Sequence, residues 1–247
     1  MTAKLGTRAA ELAAVLRQTG LAGQVRVGVP LPLDEAKNPY FPGTHSPPGA
    51  EEDALEVLLH PSGREEIRGR LIELEGGASS GRTALAYRMA AGASARGELV
   101  GWVDLPNALD PRSLRRAGVQ LEGLLWVRPA RAQAALRAAE LLLRTGFALV
   151  VLDLEGAARP TLIGLGTAVW SRMLRAVRQA RATTVLLGTH QVSGSFATLG
   201  LYTKRRRALF DRGLFEGLES STTIGRNRTG PTGTEYSFRL SQRPTPE

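Results

Sequence analysis

A glycine-rich turn between a predicted strand and a predicted helix constrains the fold of this chain more than any other segment. Residues 76–83 fit the phosphate-loop pattern G-x-x-x-x-G-[K]-[ST], except that Arg82 stands where the pattern has lysine. The apolar run Leu71 to Leu74 precedes the turn, and a helical pattern follows it. This order of strand, turn and helix is the context that a phosphate loop requires. A plain tight turn is the alternative for the motif taken alone.

The candidate nucleotide-binding residues follow from this pattern. Small residues let successive backbone N–H groups surround an anion, and the dipole of the next helix adds positive potential. Thr83 keeps a hydroxyl for magnesium, but a planar guanidinium does not replace a compact ammonium in a tight cradle. We expect weak ATP binding at most, inefficient hydrolysis and no required cofactor; ATP with Mg²⁺ is the ligand that the motif would take. The candidates in the loop are Gly76, Gly77, Ser79, Ser80, Gly81, Arg82 and Thr83.

The composition excludes several classes of protein to which this chain could otherwise belong. A chain of 247 residues can bury one substantial core, and the lack of cysteine excludes disulfides. His45, His60 and His190 are scattered without nearby carboxylates at ligand spacing, so we expect no metal site. No apolar run approaches the roughly 18–20 residues of a membrane span, and no signal-like segment begins the chain. We therefore expect a cytoplasmic protein without a membrane partner.

The net charge of +9 indicates an anionic partner, because clustered Lys and Arg neutralise phosphates. The alternative is an arginine-rich surface that is simply solvated. The low aromatic content argues against a base-stacking platform, and we expect Trp102, Trp126 and Trp170 in the core or an interface. The candidate DNA-binding residues are the run Lys204, Arg205, Arg206 and Arg207, and the pair Arg226 and Arg228.

The N-terminal residues 1–32 are predicted to form a helix–strand docking arm. Apolar residues first recur at helical spacing and then alternate as in an edge strand. Residues 33–52 are rich in Pro and Gly and indicate a linker. The arm would bind a partner by helix packing and strand addition; alternatively, both elements pack on their own domain. The candidate docking residues are Leu5, Leu12, Leu16, Val25, Val27 and Val29.

Residues 53–247 are predicted to form the core. Strands and helices alternate, which indicates an α/β fold with a mostly parallel central sheet flanked by helices. Segments 222–226 and 235–240 flank a Gly-Pro-Thr-Gly turn and predict a C-terminal β-hairpin. The predicted strands are 71–74, 99–103, 123–127, 149–152 and 184–187, and the predicted helices are 53–59, 83–95, 112–116, 130–144 and 168–180.

The motifs of this core resemble those of the RecA recombinase family in the same order along the chain. Gly69-Arg70 and the strand up to Gly76, with Ser79-Ser80-Gly81, are similar to its phosphate-loop segment. Asp104 with Ala108-Leu109-Asp110-Pro111, Gly118-Val119, Leu124-Leu125 and Leu143-Arg144-Thr145-Gly146 match later family motifs. The resemblance implies a RecA-like P-loop core in which Asp153 is the aspartate that, with Thr83, would hold magnesium. Capping of the next turn is the alternative role for Asp153.

The departures from the family indicate lost catalysis. Pro106 stands where the family carries the glutamate that activates water, and loss of a general base lowers a rate by about a hundred- to ten-thousand-fold. The family's γ-phosphate sensor falls on Gln191 or, in the competing register, His190, and residues 192–202 replace most of its mobile DNA-binding loop. We therefore expect the protein to have no enzymatic activity. The rival is a working ATPase that uses Glu155, two residues after Asp153, as a displaced base; a solvent-exposed loop glutamate is the alternative for Glu155.

Within this group, the chain resembles the RecA-like accessory subunit of the bacterial mutasome, the ImuA group. That resemblance implies a non-recombinogenic accessory protein in SOS-induced, error-prone translesion DNA synthesis. Its expected partners are RecA and an inactive Y-family polymerase subunit of the ImuB type, with DNA and a second copy of the chain as further candidates. The alternatives are a DNA-stimulated ATPase that acts as a recombination mediator, and a cell-division inhibitor.

Overall fold

The computed structural model of the protein describes residues 10, 11, 14, 25–27 and 68–241. The predicted linker 33–52 and the predicted helix 53–59 lie outside these residues. So do Leu5, Leu12, Leu16 and Val29 of the predicted arm, whose docking role therefore stays a prediction.

The described part of the chain forms one nine-stranded sheet. The strands are β1 (Val25–Val27), β2 (Leu71–Gly76), β3 (Val100–Asp104), β4 (Leu124–Val127), β5 (Leu149–Asp153), β6 (Thr183–Gly188), β7 (Leu199–Asp211), β8 (Leu214–Asn227) and β9 (Glu235–Ser241). Their order in the sheet is β1-β4-β3-β5-β6-β2-β7-β8-β9. From β4 to β7 the neighbouring strands are parallel, whereas β1 at one edge and β8 and β9 at the other pair antiparallel.

Helices cover both faces of the parallel strands, because β3 and β5 are buried along their whole length and need cover on each side. The helices are α1 (Arg82–Ala95), α2 (Pro111–Arg116), α3 (Ala132–Arg144), α4 (Arg159–Ile163) and α5 (Gly166–Ala180), with a 3₁₀ turn at Leu121–Gly123. One apolar core joins α3 and α5 to one face of the sheet, through residues such as Leu142, Met173 and Val150. The other joins α1 to the opposite face, through residues such as Leu85 and Leu74.

The predicted fold class is confirmed, including the mostly parallel sheet and the C-terminal hairpin of β8 and β9. The five predicted core strands appear within about two residues of their predicted ends. Two features were missed: α4, and the long hairpin of β7 and β8. Residues 192–202, which replace most of the family's mobile loop, end in a strand, because β7 begins at Leu199 and pairs with β2.

The strand of the predicted docking arm lies on the chain's own sheet. Val25 pairs with Val127 and Val27 with Leu125, so β1 extends the sheet beyond β4. For this strand, the structure therefore has the arrangement given above as the alternative, in which the element packs on its own domain.

Candidate functional site

The phosphate loop leaves the end of β2 and enters α1 through a sharp turn. The backbone N–H of Ser80 donates to the carbonyl of Gly77 at 3.2 Å. Ser79 and Gly81 have positive φ values of 56° and 96°, a conformation that costs little for Gly81 because it has no Cβ. Gly77 and Ser79 are exposed on the rim, whereas Thr83 lies half-buried in the first turn of α1. The predicted strand–loop–helix geometry is therefore present.

The neighbouring strands pack tightly beneath and beside this loop. The hydroxyls of Ser80 and Thr203 contact each other at 2.9 Å, and Thr203 Oγ1 also donates to the carbonyl of Glu75 at 2.9 Å. A Cβ at Gly76 would lie 2.7 Å from the backbone oxygen of Thr203. A Cβ at Gly81 would lie 3.0 Å from the ring of Phe238, so β9 covers the loop at this point. Sequence patterns predicted β9 but carried no signal for this contact.

Arg82 is folded into the protein rather than extended toward solvent. Only 4% of the residue is exposed, and its guanidinium donates hydrogen bonds to the carbonyl of Gly76 and to the carboxylate of Glu155. The same two side chains form a salt bridge. Arg82 Nε is buried without a hydrogen-bond partner among the described residues. The cation of the loop is therefore already neutralised by a carboxylate of the same chain.

Two aspartates end adjacent strands next to this ion pair, since Asp104 on β3 is in register with Asp153 on β5. Asp104 is fully buried and accepts hydrogen bonds from Ala108 N, Leu109 N and Trp126 Nε1, each at 3.0 Å. It thereby fixes the turn that carries Pro106.

Asp153 caps the turn that leads to Glu155. Its Oδ1 accepts from the backbone N–H of Glu155 at 2.9 Å, the role given above as the alternative to metal binding. Burial raises the pKa of Asp153 to about 6; the charges of Asp104 and Glu155 add to the rise, while the Glu155 N–H bond and the Arg82 charge oppose it. The carboxyl is thus held where ionisation is costly.

In the arrangement that they adopt, Arg82, Glu155 and Asp153 do not fit an ATP molecule with its magnesium ion. The phosphates of ATP would have to compete with Glu155 for the Arg82 guanidinium, and the guanidinium is bound beneath the loop. Among the described residues, no group of three or more His, Asp or Glu side chains is arranged to hold a metal ion. That search concerns sites built from protein side chains, whereas the magnesium of a phosphate loop is held by a hydroxyl and by phosphate oxygens.

The segment after β6 is held by a buried carboxylate on β2. Glu73, 3% exposed, accepts from Val192 N at 2.6 Å, Ser193 N at 3.1 Å and Ser193 Oγ at 2.6 Å. The predicted sensor Gln191 instead donates from Nε2 to the carbonyl of Gly194 at 3.2 Å, and both it and His190 are exposed. Sequence reasoning missed Glu73, although a carboxylate inside an apolar strand was the signal that could have identified it.

In the predicted DNA-binding run 204–207, two side chains bond to other residues of the chain and two do not. Arg206 bonds to Ser221 and Glu235, and Arg207 forms a bidentate pair with Glu219 at 2.8 and 2.9 Å. The side chains of Lys204 and Arg205 are exposed and make no hydrogen bond or salt bridge with any residue that the structure describes.

The other predicted DNA-binding residues, Arg226 and Arg228, hold the loop after β6 in place. Arg226 donates to the carbonyl of Gly194, and Arg228 donates to the carbonyl of Ser195. Both guanidiniums therefore help to hold the segment after β6, and DNA contact by any of the six basic residues stays a prediction.

An open cleft of about 440 Å³ lies beside the ion pair. Pro106, Arg131, Glu155 and Thr161 are among its lining residues. In the family resemblance described above, the catalytic base stands at the position of Pro106. In the rival hypothesis of a working ATPase, Glu155 is the base. Pro106 has no group that accepts a proton, and Glu155 is paired with Arg82.

Comparisons with known proteins identify the family of this chain. The sequence profile of the RecA N-terminal domain matches residues 53–178, about half of the chain. The chain belongs to the RecA family. Among RecA proteins, that of Streptomyces ambofaciens is 32% identical over an alignment of 193 residues, and the match covers 72% of this chain and 49% of that protein. RecA of Mesorhizobium japonicum is 30% identical over an alignment of 183 residues, and the match covers 65% of this chain and 50% of that protein.

This RecA-family chain spans about half the length of the curated relatives that it matches. Its fold is also similar to the crystal structure of the RadB recombinase, with a TM-score of 0.56 and 22% sequence identity. That likeness covers 71% of this chain and 89% of the RadB chain. Among the described helices, none has the length and apolar character needed to cross a membrane.

Proposed function

We propose that this RecA-family protein binds partners without turning over ATP. The observation that carries the proposal is the ion pair between Arg82 of the phosphate loop and Glu155 after β5. In a working loop, the cation is available to the terminal phosphates and a nearby base orients water. Here the cation is bound to Gly76 and Glu155, and Pro106 offers no base. Both features support a protein that has kept the fold for binding.

The specific role that we propose is that of an accessory adaptor in SOS-induced, error-prone translesion synthesis. It rests on the resemblance to the ImuA group, which supplies RecA and an ImuB-type inactive Y-family polymerase subunit as partners. The paired state of Glu155 supports this role over the rival ATPase, because that rival needs Glu155 as a free base.

The test is ATP binding and single-turnover hydrolysis by the purified protein, with and without single-stranded DNA. We expect the hydrolysis rate to equal that of Asp153→Ala, with nucleotide affinity weak at most. Hydrolysis that depends on Asp153 and rises with DNA would overturn the proposal in favour of a recombination mediator. Arg82→Lys with Pro106→Glu, which restores the family residues, controls for whether the fold can support turnover at all.

The adaptor role is tested separately with purified partners. We expect the cognate RecA and the inactive polymerase subunit each to bind the full-length protein in the absence of ATP, as measured by analytical ultracentrifugation. A protein that neither hydrolyses ATP nor binds either partner would contradict the adaptor role while leaving the inactive site in place.

A further inference from the structure

The ribbon of β7, β8 and β9 projects beyond the end of β2, and the tip of the β7–β8 hairpin projects beyond β9, which pairs with β8 as far as Gly217. β7 pairs with β2 only as far as Thr203, opposite Gly76. From Lys204 to Asp211, its only partner among the described strands is β8. One edge of this segment therefore presents backbone N–H and C=O groups that no described strand satisfies, and such an edge can accept an added strand.

The tip of the hairpin exposes a cluster of large apolar side chains. Phe210 is 64% exposed, Leu214 62% and Phe215 42%. Phe210 and Phe215 are register partners, and their rings meet edge to face with centroids 5.8 Å apart. These three are among the five large apolar residues that the described structure exposes. A contiguous apolar patch at the end of a projecting element is typical of a protein contact.

The charge along the free edge defines the chemistry of the partner. Lys204 and Arg205 at the base of the hairpin and Arg212 at its turn are exposed, and none has a salt bridge to a described residue. Glu219 and Glu235 already neutralise two neighbouring arginines. The edge is thus cationic at its base, and its tip combines apolar side chains with Arg212, which suits a segment in which acidic and apolar residues occur together along its length.

We propose that the free edge of Lys204–Asp211, with Phe210, Leu214 and Phe215, binds an extended acidic segment of a partner protein as an added β-strand. A peptide strand satisfies the backbone groups of the edge, which a nucleic acid cannot do in the same repeating way. Because Thr203 contacts Ser80 and lies against Gly76, the added strand begins beside the phosphate loop. The surface is independent of the proposed function and would serve an active ATPase equally.

The experiment uses the full-length protein and two synthetic peptides that match Lys204–Asp211 in length. In one peptide Glu alternates with Phe or Val, and in the other Lys replaces every Glu. Binding is measured by fluorescence anisotropy at low salt, and backbone protection by amide hydrogen exchange. We expect the acidic peptide to bind at least about tenfold more tightly than the basic one. We also expect it to slow exchange of residues 204–211.

Paired variants test the apolar and charged parts separately. Phe210→Ser with Phe215→Ser should weaken binding of the acidic peptide by about tenfold or more. Ile163→Ser is the matched control, because Ile163 is 70% exposed on α4, and it should leave affinity unchanged. Lys204→Glu with Arg205→Glu should reverse the preference to the basic peptide. This reversal tests the surface even if loss of the two phenylalanines disturbs the hairpin.

Three outcomes would overturn the proposal. In the first, neither peptide binds, or the acidic peptide binds with protection outside 204–211. In the second, the protein alone forms a dimer that the two phenylalanine substitutions abolish, which would identify a second copy as the occupant. In the third, a single-stranded oligonucleotide protects 204–211 and the acidic peptide does not.

Discussion

The guanidinium of Arg82 and the carboxylate of Glu155 join the first turn of α1 to the segment after β5. Arg82 lies at the N-terminal end of α1, where the helix dipole is positive and a buried cation is unfavourable. Glu155 and the carbonyl of Gly76 compensate for both effects. The pair explains how an arginine fits in a loop built for lysine, and it makes the stability of the loop depend on a distant carboxylate.

Removing one member of this pair should destabilise the protein. Glu155→Gln leaves the buried Arg82 guanidinium without a counter-charge, so we expect the free energy of unfolding to fall by about 1–3 kcal/mol in urea denaturation. The Glu155 side chain is 40% exposed, which places the loss below that of a fully buried pair.

The double variant Arg82→Met with Glu155→Gln controls for the charge, and it should recover most of the loss because no buried charge remains unpaired. Equal destabilisation in the single and double variants would mean that the pair does not set the stability of the loop.

The buried Asp153 predicts a specific dependence of stability on pH. Its pKa in the folded protein is about 6, above the ordinary value of 3.8, so folding favours the protonated form. The stability linked to this proton is present below about pH 4 and is lost as pH rises through about 6, a difference of roughly 3 kcal/mol. Asp153→Asn keeps an oxygen acceptor for Glu155 N and removes the titration.

We therefore expect Asp153→Asn to be more stable than the natural protein at pH 7.5 by about 2–3 kcal/mol and nearly equal to it at pH 4. Chemical denaturation of both proteins across this range measures the difference. A difference that does not change between pH 4 and pH 7.5 would show that Asp153 titrates normally.

The glycines of the loop predict a matched pair of substitutions. A Cβ at Gly76 would lie 2.7 Å from the backbone oxygen of Thr203, and backbone cannot move aside cheaply. A Cβ at Gly77 has no atom within 4 Å. We expect Gly76→Ala to lower the melting temperature by several degrees, corresponding to about 1–3 kcal/mol, and Gly77→Ala to leave it nearly unchanged. Calorimetry of the two variants decides whether packing against β7, rather than loop flexibility, requires glycine at position 76.

Local patterns predicted the parts of the site that are close together in sequence. The apolar strand, the glycine turn and the helix identify the loop from residues 71–95 alone. The partner of Arg82 was not predictable in this way, because Glu155 approaches it only through the parallel pairing of the sheet. The sequence alone indicates either a base or a solvated residue at Glu155, and pairing with a buried cation is neither of these.

The same limit applies to the projecting hairpin. Lys204–Arg207 has no apolar alternation, so the run indicated a charged surface rather than a strand. Its extended conformation depends on antiparallel pairing with β8 and on Thr203 lying beside Gly76. α4 was missed because Pro160 and Gly164 bound a segment too short to show a helical period.

Glu73 predicts a test of the loop after β6. Glu73→Gln replaces a charged acceptor of three hydrogen bonds by a neutral one, so we expect a loss of about 1.5–3 kcal/mol in the free energy of unfolding. Amide exchange at residues 192–194 should also become faster. Glu75→Gln is the matched control on the same strand. Burial, together with the nearby Glu73 charge, already raises the pKa of Glu75, so neutralising it should cost little. Equal effects of the two variants would contradict a specific role for Glu73.

Some of the basic side chains bond to other residues of the chain and some do not, and this difference predicts which of them contribute to DNA affinity. Lys204 and Arg205 are unpaired among the described residues, whereas Arg226 and Arg228 hold the carbonyls of Gly194 and Ser195. A single-stranded oligonucleotide would compete with the acidic peptide for this cationic edge, so we expect Lys204→Ala and Arg205→Ala each to make the negative slope of log DNA affinity against log salt shallower by about 0.7. Arg226→Ala and Arg228→Ala should leave the slope unchanged and speed amide exchange at residues 193–196. Titrations at several salt concentrations separate the two groups. A reduced slope in the Arg226 and Arg228 variants, with unchanged exchange, would place the DNA contact there and remove their role in supporting the loop.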